Sequence, residues 1–308
     1  MLTESQINDK VTMEDVMSAI EHFYQTSSVE EALIPERMHI EDKENTALLM
    51  PAFHGNYHAT KLANVAPGNP ERGLSTIQAL VILADRQTLQ TLEIMDGNTI
   101  TALKTGAVGG LGMKYMATAE SKTLGIVGTG IQGWSHLEAA LVARPIQKVI
   151  LYNRTKEKAV NFKHKIEEKY PEVAVCISSL ENLIEKADII VTTTTSKTSV
   201  IPEYDEKLYK GKLIVGVGSF RPDMQEIPDS LLHACMHWGI DSPTGLKESG
   251  DMIRAGQLGL SKDDVMSLDA LCNSDERKTI TGVSIFKSVG MSLFDLLTAQ
   301  AIYEKENN

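Results

Sequence analysis

Three glycines carry the clearest chemical signal in this sequence. Gly128, Gly130 and Gly133 follow the apolar run 123–127 in G-x-G-x-x-G spacing, and a breaker-free amphipathic stretch comes next. Glycines in this spacing allow a tight turn, the approach of a pyrophosphate to the backbone, and close packing of a helix on a strand. The N–H groups that begin the helix can bind phosphate. The stretch predicts a dinucleotide-binding turn; the alternative is a glycine-rich turn without a ligand.

The end of the next strand indicates which dinucleotide would bind. Residues 148–152 form the second strand of a βαβ unit, and Asn153, Arg154 and Thr155 follow it. An NAD site usually has a carboxylate here for the ribose hydroxyls, whereas a 2′-phosphate needs a cation. Because no carboxylate is present and Arg154 is, we expect NADP(H), with NAD(H) as the alternative. A solvated basic loop would explain the same residues without a cofactor.

Three cations lie where cations are unusual. Lys61 lies in the small, apolar strand 59–63, either on a solvated sheet face or buried with a shifted pKa and a function. Arg37 opens the first predicted strand, and Lys104 lies in the first turns of a glycine-rich helix. Together with a nicotinamide, three cations indicate a site for a carboxylate substrate.

Composition narrows the possible partners. The chain has 308 residues and a formal net charge of −11, which argues against nucleic acid as a partner. Its three cysteines are scattered and have no metal-site spacing, as expected in a reducing cytoplasm. The N-terminus lacks the features of a signal peptide, and no apolar run reaches the about 20 residues of a membrane span. We therefore expect a cytoplasmic enzyme without a metal or a membrane partner.

The order of predicted elements indicates two domains. Short strands with tight turns, at 37–41, 46–50, 57–65, 77–84 and 89–95, predict an antiparallel sheet, with Pro51 among the breakers. A helix over 98–117 follows, whose glycines indicate close packing. Strands at 123–127, 148–152, 173–177, 188–193, 212–217 and 234–239, mostly separated by helical stretches, predict an open parallel sheet. Residues 283–290 lead into a terminal helix over 291–304.

The predicted fold class is therefore α/β. A Rossmann-type doubly wound parallel sheet domain, residues 118–286, accompanies an α+β substrate-binding and dimerisation domain, residues 1–117, completed by 287–308. Ligands of open parallel sheets bind at the carboxyl ends of the strands. Gly128, Asn153, Thr194 and Ser219 lie at such ends, so we expect them to line one crevice.

Several segments, in the same order along the chain, resemble the ornithine cyclodeaminase/μ-crystallin family. They are Met50-Pro51, Lys61, residues 95–101, the Gly128 fingerprint with Gln132, residues 153–155, Arg221-Pro222-Asp223 with Glu226, residues 246–251 and residues 286–290. The resemblance covers essentially the whole chain. It implies a two-domain homodimer and hydride transfer between a nicotinamide and the α-carbon of a small imino or amino acid.

The resemblance also implies residue roles. Arg37 and Lys104 would hold the substrate carboxylate, and Lys61 would contact the substrate and donate a proton. Glu248 is a further substrate-site candidate. The implied cofactor contacts are Thr76, Gly128, Gly130, Ile131, Gln132, Gly133, Asn153, Arg154, Thr155, Thr194, Val217, Ser219 and Ser288.

Two departures from the family pattern bear on the reaction. Cyclodeaminases have an Asp after the fifth strand, where this chain has Phe220, and a Glu shortly before Met-Pro, where it has Leu48-Leu49. These differences favour plain reduction of a C=N bond, such as that of Δ1-pyrroline-2-carboxylate, over ammonia loss from ornithine. Lys104 stands where most members have Arg, which removes bidentate carboxylate geometry. The alternatives are an NAD-dependent cyclodeaminase, a non-enzymatic NADPH-dependent ligand-binding protein, and a dehydrogenase that releases an unusual amino acid from a condensed precursor.

Overall fold

The computed structural model describes residues 1–274 and 282–307, the side chains of 306 and 307 excepted. The chain forms two compact units, Met1–Lys104 with Met291–Asn308 and Thr105–Gly290. The predicted domain boundaries, at 117/118 and 286/287, remain predictions. Within the described residues, no helix is long and apolar enough to cross a bilayer.

The first unit contains the expected antiparallel sheet. Its helices and strands are α1 (Glu4–Lys10), α2 (Met13–Thr26), β1 (Met38–Asp42), β2 (Asn45–His54), β3 (Tyr57–Val65), β4 (Ile77–Asp85), β5 (Thr91–Asp96) and α3 (Gly97–Met116), of which α3 continues into the second unit. The strands pair in sequence order. Thr3 and Thr12 begin α1 and α2 with capping boxes, which satisfy N–H groups that a helix start leaves unpaired.

Two strand boundaries of this sheet differ from the prediction by more than one residue. Pro51 does not end β2, because the strand continues through it to His54 and pairs with β3 throughout. Proline is tolerated there since β1 no longer flanks β2, and the Pro51 carbonyl accepts a hydrogen bond from Ser292 Oγ at 2.8 Å. Leu89 lies in a turn with φ 59°, so β5 begins only at Thr91.

The two faces of this sheet differ. The C-terminal helix, Ser292–Asn307, packs on β2, β3 and β4, and the face with Met50, Lys61 and Val81 is buried. On the opposite face, Met38 and Ile40 are 57% and 49% exposed. The same face carries Leu49 on β2, Leu62 on β3 and Leu80 on β4, which pair with one another across the strands and are half-buried. This second face is an apolar surface.

The second unit contains a parallel sheet, as expected. Its strands are β6 (Thr123–Val127), β7 (Lys148–Tyr152), β8 (Ala174–Ile177), β9 (Ile189–Thr192), β10 (Leu213–Gly216), β11 (His237–Ile240), β12 (Val265–Ser267) and β13 (Ser284–Lys287). They lie in the order β12-β11-β13-β10-β9-β6-β7-β8, and each pair is parallel. The connections reverse direction between β6 and β9, which is the switch point where such sheets bind ligands.

Helices separate most of these strands. They are α4 (Ile131–Ala143), α5 (Lys156–Lys169), α6 (Leu180–Lys186), α7 (Glu206–Tyr209), α8 (Asp229–Ala234), α9 (Gly245–Glu248), α10 (Gly250–Gln257) and α11 (Leu268–Cys272), and the C-terminal helix of the first unit is α12. The prediction missed β12 and β13. It also began the sixth strand at Ala234, which ends α8.

Two glycines of α3 are explained by close contacts in the second unit. A Cβ on Gly109 would collide with the ring of His136, and one on Gly112 with the ring of Phe286. His136 is fully buried, which lowers its pKa to about 4, and its Nδ1 donates to the Gln132 carbonyl. The sequence-based expectation of close packing on this helix is confirmed.

Candidate functional site

Lys61 and Lys104 of the first unit share one carboxylate. Lys61 is only 6% exposed, and its Nζ lies 3.2 Å from Oδ1 of Asp295 on α12 and 3.2 Å from Thr101 Oγ1. Lys104, on α3, places its Nζ 3.0 Å from the other oxygen, Oδ2, of Asp295. It also donates to the Met291 carbonyl at 3.4 Å. Of the two alternatives for Lys61, the structure has the buried one.

The third cation of the first unit lies close enough to act on Lys61. Arg37 directly precedes β1, and its positive charge contributes to lowering the pKa of the Lys61 ammonium. The structure thus brings together the three predicted substrate-binding cations of the first unit.

The electrostatics of this cluster change the acidity of Lys61. Burial, which disfavours a charge, lowers the pKa of the Lys61 ammonium to about 8. Asp295 opposes the shift, while the positive charges of Lys104 and Arg37 add to it. An amine with this pKa exchanges a proton near neutral pH, which suits a general acid.

The glycine turn of the second unit has the geometry that a dinucleotide requires. Gly128 has φ +105°, and a Cβ there would lie 2.8 Å from Thr193 Oγ1, so a side chain is excluded by conformation and by space. A Cβ on Gly133 would collide with the Gly128 carbonyl. Gly130 differs, because it begins α4 without a side-chain cap and a Cβ there would meet no heavy atom within 4 Å.

This turn therefore fits a bound pyrophosphate. The first N–H groups of α4 have no side-chain acceptor at the cap, and space beside Gly130 is open. Thr129 Oγ1 is buried and has no hydrogen-bond partner among the described residues. Phosphate oxygens would accept from these donors and would be favoured by the helix dipole.

Asn153 joins the turn to the end of β7. Its Oδ1 accepts from the Thr129 N–H at 3.2 Å, and its Nδ2 donates to the Thr155 carbonyl at 2.8 Å. Arg154 is exposed and has no ion-pair partner in the part of the chain that is described. Its guanidinium remains available to a ligand phosphate.

Glu226 binds the loops after β9 and β10 to each other. Its buried carboxylate accepts from the Thr194 N–H at 2.6 Å and from Thr194 Oγ1 at 2.7 Å. The other oxygen accepts from the Gly218 N–H at 2.7 Å and from Thr192 Oγ1 at 2.9 Å. Burial raises the pKa of Glu226 above its ordinary value, although the charge of Lys287 and the two bonds from Thr194 oppose the shift. The loop after β9 also reaches the glycine turn, since Thr193 Oγ1 donates to the Gly128 carbonyl at 2.9 Å.

The remaining strand-end residues are fixed by buried acids. Asp251 accepts from the Glu226 and Ile227 N–H groups at 2.9 and 3.2 Å and pairs with the Lys287 ammonium at 3.4 Å. Ser219, which is fully buried, donates to the Met224 carbonyl at 2.9 Å. At the end of β13, Ser288 Oγ donates to Asp241 at 2.9 Å.

The other predicted residues are distributed over both units. Thr76 directly precedes β4 in the first unit, and its carbonyl accepts from the Ala66 N–H at 2.8 Å. In the second unit, Ile131 is 71% exposed, Val217 is buried, and Gln132 Oε1 accepts from Ser135 Oγ at 3.4 Å. Glu248, at the end of α9, belongs to the second unit and not to the unit of the three cations. The roles of all these residues remain predictions.

Sequence reasoning missed Asp295 and Asp241, and gave Thr101, Glu226 and Asp251 no role. Asp295 lies in an otherwise apolar run, Met291–Leu297, apart from Ser292. A lone acid in an apolar stretch is the same kind of signal that singled out Lys61, and it could have been used.

The fold and these residues define a two-unit α/β protein, with a Rossmann-type nucleotide-binding unit and a unit that carries a buried lysine–carboxylate cluster. The ornithine cyclodeaminase/mu-crystallin family matches residues 1–308. The chain belongs to this family.

Known relatives are similar over nearly the full length. A Δ1-pyrroline-2-carboxylate reductase of Bacillus cereus is 36% identical over 305 residues, which are 96% of this chain and 93% of the relative. The structure of the Thermococcus litoralis Δ1-pyrroline-2-carboxylate reductase, in complex with NADH and L-proline, has a TM-score of 0.90 at 28% identity and covers 99% of this chain and 97% of its own. An archaeal alanine dehydrogenase dimer with bound NAD has a TM-score of 0.89 at 27% identity, with 99% and 95% covered.

Proposed function

We propose that this protein is an NAD(P)H-dependent reductase of the C=N bond of a small cyclic imino acid, with Δ1-pyrroline-2-carboxylate as the first candidate. The observation that carries the proposal is the buried Lys61, whose pKa is lowered to about 8, among two further cations. The reductase names of the relatives from Bacillus cereus and Thermococcus litoralis support it.

The residues of the first unit have separate tasks in this proposal. Arg37 and Lys104 attract and hold the substrate carboxylate. Lys61 donates a proton from its ammonium to the ring nitrogen, which makes the neighbouring carbon electrophilic. The nicotinamide, when bound, supplies two electrons and a hydrogen to that carbon. One C–H and one N–H bond form, the C=N double bond becomes single, and Lys61 regains a proton from solvent.

The residues of the second unit hold the cofactor. The N–H groups at the start of α4 and the space beside Gly130 accommodate the pyrophosphate. Arg154 binds a 2′-phosphate, since the end of β7 has no carboxylate to bind ribose hydroxyls. We therefore expect NADPH to be preferred over NADH.

Reduction is favoured over ornithine cyclisation by two positions. Leu48 and Leu49 of β2 precede Met50, and Phe220, which follows β10, is 47% exposed. Neither position offers a carboxylate to guide a side-chain amine onto the α-carbon or to assist ammonia loss. A cyclodeaminase therefore remains the second candidate.

The test is NADPH oxidation by the purified protein with Δ1-pyrroline-2-carboxylate, beside a reaction with ornithine and NAD. We expect rapid oxidation in the first reaction and no ammonia in the second. Ammonia and proline from ornithine would overturn the assignment in favour of a cyclodeaminase. NADPH binding without turnover of any imino acid would indicate a ligand-binding protein.

The Lys61→Met variant tests the proposed proton donor. Methionine keeps the unbranched, apolar stem and removes the ammonium, so we expect kcat to fall by roughly 10²–10⁴-fold, the usual contribution of a general acid. In the unmodified protein, kcat/KM should fall as pH rises above about 8, because the ammonium loses its proton there. A variant with full turnover would exclude Lys61 from the chemistry.

The proposal includes a homodimer formed through the apolar face of the first unit. Met38 and Ile40 are exposed there beside half-buried leucines, and the archaeal alanine dehydrogenase is a dimer. Ile40→Glu should give a monomer in light scattering, because the new charge would be buried in the interface. Glu41→Ala, whose side chain points to the other face of β1, should leave the dimer intact. A dimeric Ile40→Glu variant would place the interface elsewhere.

A further inference from the structure

Asp295 divides its carboxylate between two buried lysines. It is 1% exposed on α12, and Oδ1 lies 3.2 Å from Lys61 Nζ while Oδ2 lies 3.0 Å from Lys104 Nζ. A carboxylate that binds two ammonium groups through separate oxygens fixes both of their positions. Both lysines are therefore held by a group from the far end of the sequence.

The orientation of the Lys61 ammonium follows from its two acceptors. One N–H is directed at Asp295, and another at Thr101 Oγ1, 3.2 Å away. The Thr101 hydroxyl donates to the Gly97 carbonyl at 2.7 Å, so its oxygen can only accept from Lys61. An ammonium has three N–H donors. Two are thus committed, and the third keeps a fixed direction.

From this geometry we propose that Asp295 is a positioning residue, which holds the Lys61 ammonium with one N–H free to pass a proton to the substrate nitrogen. The inference rests on the proposed reductase function, in which Lys61 is the proton donor. It adds a second effect, because Asp295 supplies the negative charge that keeps Lys61 protonated.

The charges around Lys61 make this effect measurable. The charged groups that face it are Arg37 before β1, Lys104 on α3 and Asp295 on α12. Without Asp295, the charges of Lys104 and Arg37 would still act on Lys61, while the negative charge that opposes them would be lost. An opposite charge within about 4–6 Å typically shifts a pKa by one to three units. Loss of Asp295 should therefore lower the pKa of Lys61 by about that amount.

The variant Asp295→Asn keeps the shape of the side chain and removes its charge. In the reductase assay, the pH above which kcat/KM falls should move down by about one to three units. Ser292→Ala is the matched control on the same helix, since it removes a hydrogen bond to the Pro51 carbonyl and no charge. In this control, kcat/KM should fall above the same pH as in the unmodified protein. If Asp295→Asn instead reduced kcat/KM equally at every pH, and kcat/KM still fell above the original pH, the role of Asp295 would be purely structural and the proposal would be overturned.

A second measurement needs no substrate. In protein labelled with ¹³C-lysine, the Lys61 resonance is identified by its absence in Lys61→Arg, and its titration is compared between wild type and Asp295→Asn. We expect the titration midpoint to move down in the variant by the same one to three units. An unmoved midpoint would overturn the role of Asp295 even if the reductase function holds. A wild-type protein without imine turnover, but with the expected shift, would refute only the proposed function. If Asp295→Asn does not fold, the same titration is made on Thr101→Val. Its Lys61 midpoint must then be lower than in the wild type, because the ammonium loses its other acceptor.

Discussion

Replacement of Gly130 by alanine should separate cofactor binding from folding. Gly130 has φ −98°, which any residue adopts, and a Cβ there meets no heavy atom within 4 Å. Gly128 and Gly133 differ, since a side chain at either position would collide with Thr193 or with the Gly128 carbonyl. Among the three glycines of the fingerprint, Gly130 is thus the one that the fold itself does not require.

The magnitudes follow from these contacts. Alanine is a poorer helix cap than glycine by roughly 0.5–1 kcal/mol. The lower entropy of the unfolded chain returns about 0.4–1 kcal/mol. The free energy of unfolding of Gly130→Ala should therefore change by under about 0.5 kcal/mol. In the complex, the new methyl group occupies the space of the pyrophosphate, and a loss of about 1.4–2.8 kcal/mol weakens binding roughly 10- to 100-fold.

The assay is NADPH titration by calorimetry, together with thermal unfolding. Gly256→Ala is the matched control, because Gly256 lies within α10 and a Cβ there is equally unhindered. It should bind NADPH like the unmodified protein. Unchanged NADPH affinity in Gly130→Ala would refute the reasoning, since the pyrophosphate would then not approach this backbone.

Two further predictions concern the second unit. Arg154→Ser should raise the KM for NADPH about tenfold or more and leave the KM for NADH unchanged, because one charge-assisted phosphate contact is lost. The control is Lys158→Ser, which removes a charge one turn into α5. Equal effects of Arg154→Ser on both cofactors would exclude a 2′-phosphate contact. Glu226→Gln should lower the free energy of unfolding by about 3 kcal/mol in urea titration, because an amide cannot accept from both Thr194 and Gly218 and leaves Lys287 less neutralised. A stability unchanged within error would show that these loops do not depend on Glu226.

The sequence predicted the strands best where apolar runs end at clear turns. β3, β6 and β7 have the predicted bounds, Tyr57–Val65, Thr123–Val127 and Lys148–Tyr152. The errors have tertiary causes. Pro51 breaks a strand only if its missing N–H faces a neighbour, and that depends on where β1 begins. β13 follows β12 in the chain but lies between β10 and β11, an insertion that local periodicity does not reveal.

The candidate site was predicted only in part, because its residues are brought together by tertiary packing. Lys61 was conspicuous because it interrupts an apolar strand, whereas its partner Asp295 lies 234 residues further on. Sequence shows that a buried lysine needs a carboxylate, but only packing shows which one. The lone acid in the run Met291–Leu297 had the right character, and nothing in its neighbourhood identified Lys61 and Lys104 as its partners.

The charged clusters of the two units differ in their balance of charge. In the first unit, the two buried ammonium groups of Lys61 and Lys104 share one carboxylate, that of Asp295. Two cations on one anion would favour a further anion, and the proposed carboxylate substrate would be one.

In the second unit the balance is reversed, because two carboxylates, Glu226 and Asp251, accompany Lys287. Their oxygens are occupied by N–H and hydroxyl donors from Thr192, Thr194, Gly218, Glu226 and Ile227. With their oxygens occupied in this way, these two carboxylates fix the loops at the strand ends. In the proposed function the cluster of the first unit therefore binds a ligand, because two ammonium groups share one anion there, whereas the cluster of the second unit supports loops, because its carboxylates already have donors.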